Sequence, residues 1–176
     1  MNISIAIPHY NNARYMPDTL RHIIDDTRIN EIVICDDVSK DLDALENYLN
    51  KINNNKIKLY KNTTNLGAYH NKLESLSKCT NDWCILLDSD NCLNENSIDI
   101  LYSLDKWDKN IIYAPSWAKT FPGIASENLD YRVLNNKFID KKFLLNNFNI
   151  MKLQCLLNTG NYFFNRINYL ECTKKY

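Results

Sequence analysis

The stretch Trp83-Cys84-Ile85-Leu86-Leu87-Asp88-Ser89-Asp90 joins the most apolar run of the chain to two carboxylates. A short apolar run of this kind is typical of a central strand that is covered on both faces, as in a parallel sheet. Open sheets of parallel strands bind their ligands beyond the carboxyl ends of the strands. The stretch therefore predicts a buried strand that ends at a functional site.

Outward from this strand, the first part of the chain alternates between strand and helix patterns. Strands are predicted at 3–7, 31–35, 57–60, 83–87 and 111–113, and amphipathic helices at 14–24, 42–52, 68–78 and 97–104. Strands that alternate with helices need crossover connections, which favour a mostly parallel sheet. We therefore predict an α/β fold with a central, mostly parallel sheet flanked by helices.

The rest of the chain has a less regular pattern. Tyr162-Phe163-Phe164 predicts one more strand, with a short helix after it. The chain has 176 residues, with no repeat and no linker, which suits one core. The prediction is a single domain, 1–176, with a ligand-binding half of about 1–115 and a short mixed half of about 116–176.

Composition excludes several classes of protein. Lys plus Arg and Asp plus Glu both number 21, so no net charge attracts nucleic acid or an anionic membrane. No apolar run approaches the roughly 18 residues of a spanning helix, and the first residues do not form a signal peptide. The six cysteines form no C-x-x-C pair, which indicates reduced thiols and a cytoplasmic location.

Asp88 and Asp90 stand two positions apart at the end of the predicted central strand. Two carboxylates so placed can both reach one hard cation, and Mn²⁺ or Mg²⁺ takes its other oxygen ligands from water and phosphate. One interpretation is therefore a metal site. The other is an acidic turn that caps the helix that follows.

Turn-forming and mostly polar residues also follow the other predicted parallel strands. They are Pro8, Tyr10 and Asn11 after the first strand, Asp36 and Asp37 after the second, and Asn65 and Gly67 after the third. The acidic pair either forms a turn or accepts hydrogen bonds from a base N–H or a ribose hydroxyl. Asn65 and Gly67 either relieve a tight turn or open a phosphate or sugar site at a helix N-terminus.

The order of these motifs resembles the family 2 glycosyltransferases, which share the GT-A fold. The matching segments are Ile5-Ala6-Ile7-Pro8-His9-Tyr10-Asn11, Ile32 to Ser39, Asn65-Leu66-Gly67-Ala68 with Asn71, Leu86-Leu87-Asp88-Ser89-Asp90, and Asn158 to Arg166. Each motif is only moderately specific, whereas the ordered set is specific and spans 3–166. The resemblance implies a GT-A, Rossmann-like domain that binds a nucleotide-sugar.

Roles for single residues follow from the resemblance. Asp37 would read the base, usually uracil, and Pro8 and Tyr10 would line the nucleoside pocket. The resemblance places Asn11, Asn65, Gly67 and Asn71 in the same nucleotide-sugar site. Asp88 would lie near the ribose or the metal, and Asp90 would bind the Mn²⁺ or Mg²⁺ that holds the diphosphate.

Three departures from the family pattern stand out. Val38 replaces the usual glycine, which tightens the base pocket. His70 stands where the family often has an arginine that contacts the diphosphate. After Arg166, Glu171 is the only acid, so the catalytic base is unknown, with Glu127 and Asp130 as weak candidates.

The function expected from the resemblance is metal-dependent transfer of a sugar from a UDP-sugar to an acceptor hydroxyl on a glycan, lipid or protein, with inversion. One alternative is a truncated or degenerate GT-A domain that binds the donor but transfers poorly by itself, because it needs a missing segment, a partner chain or a second copy. The other is a nucleotidyltransferase, which normally has a Gly-rich basic loop after its first strand, where this chain has Pro8-His9-Tyr10-Asn11-Asn12. The sugar and the acceptor are not encoded in any of these motifs.

Overall fold

A computed structural model describes residues 2–118, 129–147 and 161–174. Within these ranges the strands are β1 Ile3–His9, β2 Ile29–Asp36, β3 Ile57–Lys61, β4 Trp83–Leu86, β5 Trp117–Ala118, β6 Leu129–Asp130 and β7 Tyr162–Asn165. The α-helices are α1 Met16–Leu20, α2 Leu42–Ile52, α3 Gly67–Lys78, α4 Ser97–Tyr102, α5 Lys141–Asn147 and α6 Arg166–Thr173. Short 3₁₀ turns occur at Ala13–Tyr15 and Arg132–Leu134.

The main sheet has five strands in the order β3-β2-β1-β4-β7. β1 is parallel to β2 and β4, β2 is parallel to β3, and β7 is antiparallel to β4. The chain builds outward from β1 to β3 and then returns through α3 to place β4 on the other side of β1. This reversal makes the β1–β4 boundary the topological switch point, where open α/β sheets bind ligands. The predicted α/β class and mostly parallel sheet are confirmed.

β1 and β4 lie in the middle of the sheet because they carry apolar side chains on both faces. Ile3, Ile5 and Ile7 are fully buried with apolar residues of α1, α2 and α4. Ala6 and Leu86 are buried on the opposite face, which α3 and α6 cover. Successive strand residues point to opposite faces, so one short strand contributes to two apolar clusters.

The predicted helix at 14–24 is shorter in the structure. The 3₁₀ turn precedes α1, which ends at Leu20, and Ile23 and Ile24 follow in a turn. Both of their amides donate to the carbonyl of Leu20, at 3.2 and 3.1 Å. The apolar spacing correctly predicts that Ile23 is buried, but it predicts a helix that is longer than α1.

The predicted strand at 111–113 is wrong. Ile111 donates its amide to the carbonyl of Asp108, 3.0 Å away, and so belongs to a turn. Only Tyr113 pairs with another strand residue, forming an antiparallel bridge with Phe163 of β7.

The chain divides into two compact units, 1–113 with 160–176, and 114–159. The first unit contains the main sheet, and the second contains the β5–β6 pair and α5. The prediction assigned all of 116–176 to a second half, whereas β7 and α6 belong to the first unit, because β7 pairs with β4. Among the described residues, no helix is long and apolar enough to cross a membrane.

A buried carboxylate ties the sheet together at the edge opposite the functional residues. Glu31 of β2 is 2% exposed and accepts hydrogen bonds from Ser4 Oγ at 2.6 Å, Thr80 N at 2.7 Å and Lys58 Nζ at 2.7 Å. Burial alone would raise the pKa of Glu31, but these partners outweigh it and hold that pKa below its usual value. One side chain thus links β1, β2, β3 and the residues that lead into β4.

We predict that Glu31→Ala lowers the free energy of unfolding at pH 7 by at least about 2 kcal/mol, because each buried donor left without an acceptor costs about 1–3 kcal/mol. Denaturant unfolding measures this loss. The matched control is Glu46→Gln, which removes a more exposed pair with Lys61 and is expected to change stability by about 1 kcal/mol or less.

The loss is also expected to depend on pH. The folded-state pKa of Glu31 is lowered, so its contribution is fully present above the unfolded-state pKa and disappears as the pH falls through the folded-state value. The gap in stability between wild type and Glu31→Ala should therefore narrow below about pH 4.3. A gap that widens on acidification would contradict this role for the carboxylate.

Candidate functional site

The loops that follow β1, β2 and β4 are tied to one another at the carboxyl edge of the sheet. Asn12 Nδ2 donates to Ser89 Oγ at 3.1 Å, which joins the loops after β1 and β4. Asn11 N donates to Ser39 Oγ at 2.9 Å, and Lys40 N donates to Asn11 Oδ1 at 2.8 Å, which joins the loops after β1 and β2. The polar clusters that the sequence placed at separate strand ends therefore form one edge.

Asp37 is buried under the start of α3. Its Oδ1 accepts from Leu66 N at 2.7 Å and from Asn62 Nδ2 at 2.9 Å, and its Oδ2 accepts from Gly67 N at 2.9 Å. These backbone amides open α3, and they have no acceptor within the helix. The residue predicted to read a base thus also caps this helix, with about one lone pair of its carboxylate left over.

Asn65 and Asn71, two residues predicted to bind a nucleotide-sugar, belong to the hydrogen-bond network that holds Asp37 in place. Asn65 Nδ2 donates to the Asp37 carbonyl at 2.9 Å. Asn71 is buried, donates to the carbonyl of Cys35 at 3.0 Å and accepts from Asn62 at 3.0 Å. Gly67 has φ +78, a conformation open to glycine but rare for other residues, and open space lies where a side chain would project. The tight-turn interpretation of Gly67 therefore has a direct geometric basis.

Pro8 and Tyr10 lie at and just beyond the end of β1. Pro8 is half-buried in the strand opposite Cys35. Tyr10 is 49% exposed, so its ring stands at the surface of the edge. Asp37 N donates to the carbonyl of His9, the residue before Tyr10, at 2.9 Å, so the two residues lie on neighbouring strand ends, and an exposed aromatic ring there is suited to contact the face of a planar ligand.

A buried pair, His9 and Asp36, lies directly beneath this edge and was missed by the sequence analysis. His9 Nδ1 lies 2.9 Å from Asp36 Oδ1, and Ser39 N donates to Asp36 Oδ2 at 3.1 Å. Burial alone would raise the pKa of Asp36, but hydrogen bonds from Ser39 and His9 outweigh it and hold that pKa below its usual value. The β1–β2 register places these two residues opposite each other, and that register comes from the paired strands of the structure.

Val38 adopts a backbone conformation that valine rarely takes. Its φ is +65, in the left-handed region. That conformation costs roughly 1–2 kcal/mol for a residue with a side chain. The usual glycine of the family pattern would avoid this strain, so the departure noted in the sequence has a structural consequence.

Asp88 and Asp90 differ in their surroundings. Asp88 forms an ion pair with Lys72 of α3, with 2.7 Å between Oδ1 and Nζ, and both side chains are at most 20% exposed. Asp90 is exposed. The described residues contain no cluster of three or more acidic, histidine or cysteine side chains that could hold a metal by themselves. The donor set still fits Mg²⁺ or Mn²⁺, because these ions need one or two carboxylates and complete their shells with water and phosphate.

Lys72 was also missed, because α3 faces the sheet with a different side than expected. The apolar spacing within 68–78 predicts Tyr69, Leu73 and Leu76 as the inward side of this helix, but Tyr69 is 52% exposed and the buried residues are Asn71, Ser75 and Leu76. Lys72 lies one turn before Leu76. Reading the helix from its polar residues as well as its apolar ones would have placed Lys72 toward β4.

Of the two candidate general bases, Asp130 lies within the described residues. Glu127 lies outside the described residues. Asp130 is exposed and accepts from Arg132 Nε at 2.8 Å and from Arg132 Nη2 at 2.5 Å. These hydrogen bonds lower the pKa of Asp130 to about 2, which makes its carboxylate a weak base.

Known proteins match this chain over its main sheet and beyond. The family model described as glycosyl transferase family 2 matches residues 4–173. The abequosyltransferase RfbV of Salmonella typhimurium is 33% identical over 105 residues, 57% of this chain and 32% of that protein. The glycosyltransferase GlyG of Streptococcus pneumoniae is 29% identical over 101 residues, 57% of this chain and 34% of that protein. The chain thus spans about a third of the length of these relatives.

Solved structures share its fold. Residues 1–349 of TarS from S. aureus superpose with a TM-score of 0.52 at 23% identity, over 58% of this chain and 32% of that one. The same protein in complex with UDP-GlcNAc gives a TM-score of 0.51 at 23% identity, over 58% and 30% of the two chains. At this level of identity the likeness shows the GT-A fold. The family model, which covers nearly the whole chain, shows that this protein belongs to glycosyltransferase family 2.

Proposed function

We propose that this chain binds a UDP-sugar with Mn²⁺ or Mg²⁺ and serves the transfer of the sugar to an acceptor hydroxyl. The observation that carries the proposal is the convergence of Tyr10, Asp37, Asp88 and Asp90 at one edge of a GT-A sheet. Tyr10 supplies an aromatic face for the base, and Asp37 supplies an acceptor for the N–H of its ring. Asp88 and Asp90 supply two carboxylates for a metal ion bound to the diphosphate. Membership of family 2 favours glycosyl transfer over nucleotidyl transfer.

The base end of the donor would lie against Tyr10 and Asp37. Uracil offers one N3–H, and the carboxylate of Asp37 has about one acceptor position beyond the three hydrogen bonds it already accepts. Backbone amides fix that carboxylate in place, so little ordering is needed on binding. The structure of TarS that holds UDP-GlcNAc makes a UDP-sugar the first donor to test.

The diphosphate end of the donor would lie near Asp88 and Asp90. Asp90 is exposed and would bind the metal, with Asp88 close to the metal or the ribose. The bound cation would stabilise the negative charge that develops on the leaving diphosphate. Lys72, paired with Asp88, would keep a fixed positive charge beside the same phosphates.

The transfer itself would be a single displacement. The acceptor oxygen forms a bond to the anomeric carbon while the bond from that carbon to the diphosphate oxygen breaks, and the acceptor proton passes to a carboxylate. Attack from the face opposite the diphosphate inverts the anomeric configuration. Among the two candidate bases, the pairing of Asp130 with Arg132 favours Glu127.

We predict that Mn²⁺ strengthens UDP binding and that Asp90→Asn removes the enhancement, because the substitution replaces a charged carboxylate ligand with a neutral amide oxygen, which binds a divalent cation much more weakly. Calorimetry with Mn²⁺ and with EDTA measures both affinities. Asp105→Asn, at another exposed aspartate, is the control and should keep the enhancement. Equal UDP affinity with Mn²⁺ and with EDTA in the wild-type protein would contradict the metal role.

We predict that Asp37→Asn weakens UDP binding by about 1.5–3 kcal/mol more than it weakens binding of diphosphate, since a hydrogen bond to a charged group is lost. The difference between the two ligands separates base reading from damage to the start of α3. Asn62→Ala is the matched control, because it removes one hydrogen bond to the same carboxylate. Asn62→Ala should change the affinities for UDP and for diphosphate by the same factor. If Asp37→Asn also weakens the binding of both ligands equally, Asp37 does not contact the base.

We predict that Glu127→Gln lowers sugar transfer to an acceptor by about 10²–10⁴-fold, the usual contribution of a general base, while UDP affinity stays unchanged. Asp130→Asn is the comparison and should have a much smaller effect, because Arg132 already lowers the basicity of that carboxylate. The reverse ranking would assign the role to Asp130. A chain that binds the donor yet transfers no sugar would support the alternative of donor binding without transfer.

A further inference from the structure

Val38 differs from every other described residue with a positive φ. Apart from Gly67, the others are Asn11, Asn53, Asn136 and Asn161. Asparagine enters the left-handed region several times more readily than most residues, whereas a β-branched residue there is an outlier. Val38 is also 48% exposed, so burial of its side chain does not explain the conformation.

The loop around Val38 holds the valine in this conformation from both sides. Before it, Asp37 is buried, with its carboxylate bound to the start of α3. After it, Ser39 N donates to Asp36 at 3.1 Å, and Ser39 Oγ accepts from Asn11 N at 2.9 Å. Strained conformations persist where the surroundings determine them, and they cluster at ligand sites. The isopropyl group is therefore a fixed feature of the surface.

The position of Val38 relates it to the base site. It directly follows Asp37, and the loop that carries it is hydrogen-bonded to the loop that carries Tyr10. Val38 and Tyr10 are both large apolar side chains that remain about half exposed. A planar ring that contacts Tyr10 by its face and Asp37 by its edge would meet Val38 as a neighbouring wall.

We propose that Val38 is a specificity-determining residue that limits the room beside Asp37 and so favours a single-ring pyrimidine over a two-ring purine. This inference rests on the proposed function, because it concerns the same nucleotide site. A β-branched side chain has few rotamers, and the surrounding hydrogen bonds prevent the loop from retreating. The wall therefore excludes a larger base instead of adapting to it.

The test compares the affinities of UDP and GDP for the wild-type protein, Val38→Gly and Val38→Ala in the presence of Mn²⁺. Both ligands carry the same diphosphate, so the ratio of their affinities isolates the base. The wild-type protein should prefer UDP, and both variants should lose about tenfold of that preference, the lower end of what small apolar groups contribute in a pocket.

Thermal unfolding of the same variants gives a second readout. Val38→Gly should unfold at an equal or higher temperature than the wild type, because glycine takes a positive φ freely. Val38→Ala keeps a side chain at that φ and should show no increase. Val133→Ala, at another exposed valine, is the control and should leave the ratio of affinities unchanged.

The outcomes separate this inference from the proposed function. A wild-type protein that binds neither nucleotide would overturn the proposed function. A wild-type protein that binds UDP and GDP equally, or variants that keep the wild-type preference, would overturn the role of Val38 while leaving nucleotide binding in place.

Discussion

The carboxylate of Asp37 lies buried where β2 ends and α3 begins, and it accepts the first free backbone amides of that helix. A carboxylate at a helix N-terminus also interacts favourably with the positive end of the helix dipole. This interaction fixes the loop after β2 to the helix that returns the chain across the sheet. Because α3 leads the chain to β4, the position of the Asp88–Asp90 turn depends on the same contact.

Around Asp37, further side-chain hydrogen bonds join the loops at this edge. The His9–Asp36 pair and the hydrogen bonds of Asn11 and Ser39 hold the loops after β1 and β2 together before any ligand binds. A site ordered in advance loses less conformational freedom on binding, which favours affinity. The left-handed backbone of Val38 is the strain that accompanies this order.

Charge at the edge is balanced unevenly. Asp88 already has a cationic partner in Lys72, whereas Asp90 faces solvent. A divalent ion at this edge would therefore bind near Asp88, whose charge is partly neutralised by Lys72, and near Asp90, whose carboxylate is exposed to solvent. The ion pair also explains how the charge of Asp88 is tolerated at 20% exposure, since a buried charge needs a partner or a hydrogen bond.

The sequence by itself determined the order of strands and helices from β1 to α4 and the polar residues at the ends of those strands. Apolar periodicity and the motifs from Pro8 to Asp90 are local signals, and they place each residue at the end of a particular strand. Local signals did not decide the short elements. The apolar pattern at 111–113 predicts a strand, but the hydrogen bond from the Ile111 amide to the Asp108 carbonyl makes this segment part of a turn. Whether 14–24 formed a full helix was likewise decided by packing.

Only the tertiary structure decided what each of these side chains contacts. Asp37 contacts Leu66 and Gly67 across a separation of 29 and 30 residues, and Asn12 contacts Ser89 across 77. The inward side of α3, and with it the pairing of Lys72 with Asp88, depends on how the helix packs on the sheet. Partners that are distant in the chain meet through strand order and register, which depend on how the whole sheet is assembled and not on the residues next to each partner.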